Sequence, residues 1–455
     1  MRRHIVAGHF GPTDPPRLPR VPGVVNTKID LVSSNSRLDH GIDGALAELS
    51  AIGIFPSEIG VDLLVLAALS HAADTRISRE TESQDTWTRE IELVVPVSDS
   101  HLWQRVAGLM ANMLDFLSGD RWTFTFRPRP DRFAQIAKIR AEGSPPSNFN
   151  CLSLFSGGLD SLIGAIDLLH AGVASLFISH AGEGATSGAQ AACFEALQAQ
   201  YQTRCFSRLR MWMNFPLETV RNVASEKTTR ARSFLFFAIG VFAGTGLGRP
   251  FTIRVPENGF IALNVPLDIL RLGALSTRTT HPYYMARWNE LLTNLGVQGR
   301  IENPYWDKTK GEMVQACADQ ALLRRLVPKS LSCASPAKAR WQGHPVQHCG
   351  YCLPCLIRRA SIEKAWGQGN DPTTYTLSDL RAVNLDPNQA EGQQIRAFQF
   401  AVARIRSKPG IEKILVHKPG SLNDVKGSVD DLAAVYRRGM EEIAVILDGV
   451  QTRRN

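Results

Sequence analysis

The 455-residue sequence predicts an α/β core on a parallel sheet, carrying a cysteine knuckle and preceded by an N-terminal α+β region. Three observations predict it. Cys151 to Phe155 is a short apolar run, a Gly-containing loop follows, and Leu162, Ile163, Ile166 and Leu169 then recur at helical spacing until Gly172 ends the pattern. A second apolar run, Val173 to Ser179, completes a βαβ unit, which implies parallel strands with helices packed on them. Finally, Cys349, Cys352 and Cys355 stand two residues apart in turn, and Gly350 and Pro354 favour a tight knuckle between them.

The rest of the chain is read around that unit. Residues 1 to about 36 are rich in Pro and Gly and are expected to be irregular. Helical patterning begins near Gly41, and Val61 to Ala73 is a strongly apolar helix. Glu90 to Val97 and Trp122 to Phe126 read as strands, with an amphipathic helix between them over His101 to Leu117. Residues 1–148 form the accessory α+β domain, with Glu142-Gly143-Ser144-Pro145-Pro146-Ser147 as its linker. Trp87, Trp103 and Trp122 are either core or an aromatic face for a partner. Residues 149–367 hold the α/β core, and 368–455 are a C-terminal accessory region with a helical pattern from Val429 to Leu447.

Hydrophobic residues at 44% and charged residues at 21% fit a globular chain rather than a disordered one. The net charge of +8 points to an anionic partner, nucleotide or nucleic acid, with a mildly basic surface as the alternative. Met1-Arg2-Arg3-His4 is not followed by an apolar signal segment, and the most apolar stretch, Ser233 to Gly244, is shorter than the roughly 20 residues that span a bilayer. A cytoplasmic protein with no membrane partner is expected. Of its 8 Cys, the group Cys349, Cys352 and Cys355, with Cys333 upstream, then reads as metal ligands rather than part of a disulfide framework.

Ser156-Gly157-Gly158-Leu159-Asp160-Ser161 follows the first strand and opens the helix. The two glycines let backbone N–H groups approach an anion, and the helix points its positive end at the same place. Ser156 and Ser161 add hydroxyl donors. Asp160 would repel phosphate by itself, so it is expected to cap the helix and to help hold Mg²⁺. The spacing is that of neither a Walker A loop nor a Rossmann fingerprint. Cys333 supplies a fourth thiolate to the knuckle, with His348 and His344 as competing ligands. Four thiolates close a tetrahedral, structural Zn²⁺ site, and an iron–sulfur cluster is the alternative.

The loop resembles that of the PP-loop superfamily, whose fold is a parallel sheet with helices on both faces and whose members split ATP into AMP and pyrophosphate. A PP-loop followed by Cys-x-x-Cys-x-x-Cys resembles QueC, the 7-cyano-7-deazaguanine synthase family, over about Cys151 to Ala365. Within that span Arg230-Ala231-Arg232-Ser233-Phe234-Leu235-Phe236 looks like the family's Arg-led helix start. Glu257-Asn258-Gly259 looks like its strand-end turn, and Thr280-His281-Pro282 and Thr309-Lys310 look like its later motifs. With long extensions on both sides, the chain is more similar to the QatC proteins of anti-phage defence operons, which sit beside an ATPase, a small partner protein and a TatD-like nuclease. The resemblance implies ATP, Mg²⁺ and Zn²⁺ as cofactors. It also implies adenylation of a 7-deazaguanine-like carboxylate and acyl transfer to nitrogen, here on a small protein partner from the same operon.

The residues support specific roles. Arg230 or Arg232 is placed to neutralise phosphate or a substrate carboxylate. Lys310 offsets pyrophosphate charge, and Asp160, Lys310 and Arg232 are the catalytic candidates. Glu257 and Asn258 are read as contacts to a purine-like edge, and His180, ending the second strand, as a neighbour of adenine. Two rivals stay open: a tRNA-thiolating PP-loop enzyme with a persulfide-bearing Cys, and a nucleotide-binding module without turnover.

Overall fold

The computed structural model describes residues 2–453 apart from 15, 36, 84, 141–146, 183, 221–222, 227 and 268–277. The expected linker therefore lies outside the described residues except for Ser147. In the N-terminal region β1 (Arg3–His9), β2 (Val24–Asp30), β3 (Glu90–Val97) and β4 (Arg121–Pro128) form one sheet in the order β2-β1-β3-β4. Every pairing in it is parallel. The region is thus α/β and not α+β, and its first two strands occupy the stretch expected to be irregular. Both strands are masked in sequence by polar residues. His4 of β1 is buried against Glu82 at 2.8 Å, and β2 buries only Thr27 and Ile29 while Asn26, Lys28 and Asp30 face outward.

Among the described residues, three α-helices of seven residues or more belong to this region: α1 (Ile42–Ala51), α2 (Glu58–Arg76) and α3 (Ala107–Ser118). The helix expected from His101 to Leu117 is broken at Val106, which separates a short helix, Ser100–Arg105, from α3. Helix α2 is buried on all sides from Gly60 to Thr75, as expected of a helix enclosed between layers. Its two buried aspartates, Asp62 and Asp74, are satisfied within the protein. Asp62 accepts from the Ser98 amide at 2.9 Å and from Trp103 Nε1 at 2.9 Å, and Asp74 and Asp120 receive Arg89 at 3.0 and 2.5 Å.

The second sheet comprises β5 (Cys151–Leu154), β6 (Ser175–Ala181), β7 (Phe206–Trp212), β8 (Phe251–Arg254) and β9 (Gly299–Glu302). Its order is β7-β6-β5-β8-β9, parallel throughout. The connecting helices are α4 (Leu159–His170), α5 (Gly184–Gln200), α6 (Arg232–Thr245) and α7 (Pro282–Asn294). Alternate strand residues divide the two faces. Leu152, Leu154, Leu176 and Ile178 share a core with α6 and α7, while Phe155 and Phe177 share another with α4 and α5. The helices therefore cover both faces. The winding reverses between β5 and β8, which makes their carboxyl ends the place where such sheets bind ligands.

The core on the α6 face continues without a break from Val6 of the N-terminal sheet to Ile301 of β9. Helices α2 and α6 cross at Gly60, where an added Cβ would lie 2.3 Å from Thr245 Oγ1 and 3.3 Å from the Phe242 Cα. The boundary drawn near residue 148 thus runs through one shared core. Trp103 and Trp122 belong to that core, and Trp87 is half-buried under the Arg230 guanidinium, 4.3 Å from its ring centroid. The three tryptophans do not form an aromatic face. Beyond β9 come α8 (Lys310–Ala316), α9 (Gln320–Leu326), α10 (Leu353–Trp366), α11 (Ala390–Ser407) and α12 (Val429–Ile446). The last two pack on Leu356 and Ile357 of α10 and on Phe260. Among the described residues no helix is long and apolar enough to cross a membrane.

Candidate functional site

The loop between β5 and α4 is held by its own hydroxyls. Ser161 Oγ accepts from the Ser156 amide at 3.2 Å and lies 3.1 Å from Ser156 Oγ, which in turn accepts from the Gly158 amide at 3.3 Å. Gly157 has φ +79°, and an added Cβ there would meet the Gln190 amide nitrogen at 2.8 Å, so the position demands glycine. Gly158 is the N-cap of α4 and has no side chain to cap with. Leu159, the first residue of the helix, donates its amide to Ser332 Oγ at 3.1 Å instead.

Asp160 lies at the reversal point between β5 and β8. Its Oδ2 receives Asn258 Nδ2 at 2.8 Å and stands 3.3 Å from Lys310 Nζ, and its Oδ1 is buried with no protein partner. Asn258 follows β8 and also accepts from the Ile261 amide, so both ends of its side chain are engaged. It holds Asp160 in place and is itself fully buried. Glu257 sits beside Asp160. Burial, and then the Asp160 charge and hydrogen bond, push its carboxyl up to about 8. Two carboxyl groups this close share a proton, and a divalent cation can take that proton's place. Few oxygens with one orphaned buried atom suit Mg²⁺, which keeps most of its waters.

The shared proton has a measurable consequence. The neutral form of Glu257 is favoured in the fold. The associated stability is fully present below pH 4.5 and is lost as pH rises through about 8. Glu257→Gln cannot ionise and keeps it. The melting temperature of the variant is therefore expected to exceed that of the parent by an increasing margin from pH 5 to pH 9, reaching a few degrees. A margin that stays flat with pH would show that the carboxyl titrates normally.

Lys310 is the first residue of α8, and Thr309 caps the helix in a capping box with Glu312. Thr309 Oγ1 also donates to Glu442 of α12, whose carboxyl is pushed up to about 7 by burial and packs against Gly311. The C-terminal region thus helps to fix the helix end that carries Lys310.

The other candidates lie elsewhere. Arg230 donates to the Ser118 carbonyl at 3.1 Å and lies over Trp87, engaged with the N-terminal region. Arg232 and His180 meet in a polar cavity of about 270 Å³ between α2 and the ends of β6 and β7, lined also by His71, Arg76, Asn214 and Thr229. The His71 and His180 rings are 5.5 Å apart, and burial pushes them down to about 3 and about 4, so both are neutral near pH 7. His281 caps α7 by accepting from the Tyr283 amide at 3.2 Å, a structural role.

Cys333, Cys349, Cys352 and Cys355 come together, with all four sulfurs within 4.8 Å of one another. Cys333 and Cys352 are 3.9 Å apart, and Cys349 and Cys355 are 3.8 Å apart. Four thiolates at about 2.3 Å from one tetrahedral ion stand about 3.8 Å from each other, so the cluster is sized for a single ion and is too tight for a cubane of irons. Neither His344 nor His348 joins it: His348 Nε2 accepts from the Ser332 amide at 3.1 Å, and His344 is exposed. Elemental analysis of purified protein is expected to give one equivalent of zinc and no inorganic sulfide. Zinc well below one equivalent, or stoichiometric sulfide, would contradict it. Burial pushes the Cys151 and Cys193 thiols up to about 11 and Cys317 up to about 12, which leaves these three unreactive.

The sequence alone does not single out Ser332 or Glu442. Each is an ordinary polar residue distant in the chain from the group it supports, and no local pattern marks it. The chain matches no model of a known protein family, and no curated protein sequence matches it.

Proposed function

We propose that this chain is an ATP-consuming PP-loop enzyme of the QueC type. In this reading it activates a 7-deazaguanine-like carboxylate as an adenylate and passes the acyl group to a nitrogen nucleophile. The observation that carries the reading is the meeting of Asp160, Glu257, Asn258 and Lys310 at the carboxyl ends of β5 and β8, in the helix turn that follows the Gly157-Gly158 loop. The substrate carboxylate oxygen attacks the α-phosphorus and pyrophosphate leaves; the nitrogen then attacks the acyl carbon and AMP leaves. Loop amides and the Ser156 and Ser161 hydroxyls bind the departing pyrophosphate. Lys310 adds a cation to the same place. Asp160 and Glu257 would hold Mg²⁺, which supplies further charge neutralisation when bound. In the cavity around the neutral His71 and His180 rings, Arg76 and Arg232 outweigh Glu226 in charge, which suits a heteroaromatic ring carrying an anionic substituent.

The resemblance to the defence-operon proteins favours an amine on a small protein partner as the nucleophile. The test is product analysis. Protein, Mg²⁺, ATP and 7-carboxy-7-deazaguanine, with and without the small operon partner, are separated by liquid chromatography and weighed by mass spectrometry. AMP with pyrophosphate, and a mass gain on the partner, are expected. Release of ADP and phosphate, or no nucleotide cleavage under any combination, would refute the reading.

A further inference from the structure

The cysteine knuckle and the phosphate loop are far apart in sequence but are bonded to each other. The segment joining them, 330–333, has no regular secondary structure and is held by local bonds at its two ends and by tertiary hydrogen bonds along it. One end is fixed by Arg358, a buried side chain of α10 that donates to Ser330 Oγ at 3.0 Å and to the Val327 carbonyl at 2.6 Å. The other end is fixed by Cys333, whose sulfur accepts from the Ser335 and Cys349 amides at 3.4 Å each. Between these anchors the segment makes two bonds to the loop. The Leu331 amide donates to the Gly157 carbonyl at 2.9 Å, and Ser332 Oγ accepts from the Leu159 amide at 3.1 Å. The Ser332 amide donates to His348, the residue before Cys349.

We infer that the metal knuckle sets the shape of the phosphate loop, and that Ser332 is the positioning residue through which it does so. The inference rests on the proposed nucleotide reading of the loop. Helix α4 begins at a glycine, which cannot cap its own amides, and Ser332 supplies the missing hydroxyl from across the fold. Because that hydroxyl accepts from Leu159, its own proton is free to point at an anion bound over Gly158, to which the side chain is close: an added Cβ on Gly158 would lie 3.5 Å from Ser332 Oγ. Loss of the ion frees Cys333, then Ser332, and leaves the first amide of α4 without a partner. The ion is therefore structural in chemistry but regulatory in effect, since it decides how well an anion is held some distance away.

Two readouts test this. Hydrogen exchange of the peptide covering 154–162 is followed without nucleotide, and the dissociation constant for Mg²⁺–ATP is measured by calorimetry. Both are applied to zinc-loaded protein, chelator-stripped protein, Ser332→Ala and Ser332→Thr, with zinc content and melting temperature recorded for each. Ser332→Ala is expected to keep one zinc, to exchange faster at the loop and to bind ATP about tenfold more weakly. Ser332→Thr, which retains the hydroxyl, should restore both, and stripped protein should resemble the alanine variant or exceed it. Unchanged loop exchange in zinc-loaded Ser332→Ala overturns the inference. Should stripping unfold the protein, the Ser332 pair still decides it. Should no form bind ATP, the nucleotide reading fails, while loop exchange still reports whether the knuckle and the loop are coupled.

Discussion

On the proposed function, Lys310→Ala is expected to lower AMP formation by about 10²- to 10³-fold while the protein stays folded, the range seen when a group aimed at developing charge is removed. Lys310 Nζ stands 3.3 Å from Asp160 Oδ2 and is buried at the start of α8. It pairs with Asp160 and its charge also acts on Glu257, so its loss leaves the leaving group facing these carboxyl groups without that compensation. The helix itself should survive, because its start is fixed by the Thr309–Glu312 capping box and by Glu442 rather than by the lysine. Lys310→Arg keeps the charge but not the compact ammonium, and intermediate activity is expected. Initial rates of AMP release, with circular dichroism as the control for folding, give the answer. A Lys310→Ala enzyme within threefold of the parent would remove the lysine from the chemistry.

A second large effect is expected from deleting residues 1–140. On sequence alone such a truncation looks like a clean removal of an accessory domain that spares nucleotide binding. The shared core says otherwise. Phe234, Phe237, Ala238, Val241 and Phe242 of α6 are fully buried in a core that α2 and the N-terminal sheet help to build. Exposing large apolar side chains at about 1.5–3 kcal/mol each uses up a stability of about 5–15 kcal/mol. The truncated chain should appear in the insoluble fraction, and with it the nucleotide binding proposed for the loop should be lost. A soluble, cooperatively melting 141–455 fragment would show that the two sheets are independent units.

How far the sequence reveals this protein differs from part to part, for physical reasons. The βαβ unit from Cys151 to Ala181 is legible because a fully buried parallel strand is an unbroken apolar run, and because Gly172, at φ +73°, marks the end of α4. The four clustered cysteines are legible because thiols at that spacing have few other uses. β1 and β2 are not. A buried His4–Glu82 pair interrupts one pattern, and the other strand lies at a sheet edge and buries only alternate positions. Asp160 and Lys310 could be identified singly, but their meeting depends on the strand order, which no local pattern states. Arg230 illustrates the reverse. An arginine before an apolar helix invites an anion-binding role, yet its partners are a carbonyl and an indole in the other half of the fold.

The burial of α2 on all sides bears on how the chain is made. On the ribosome, α2 is complete roughly 150 residues before α6 has been synthesised. At about 5–20 residues per second that interval is on the order of ten to thirty seconds. For that time the helix can be covered on the side of the N-terminal sheet, but its other flank, from Gly60 onward, has nothing to lie against. Nascent chains of this protein must therefore carry an exposed apolar helix through roughly a third of translation. Ribosome-associated chaperones are expected to occupy that flank until residues 232–245 emerge and displace them.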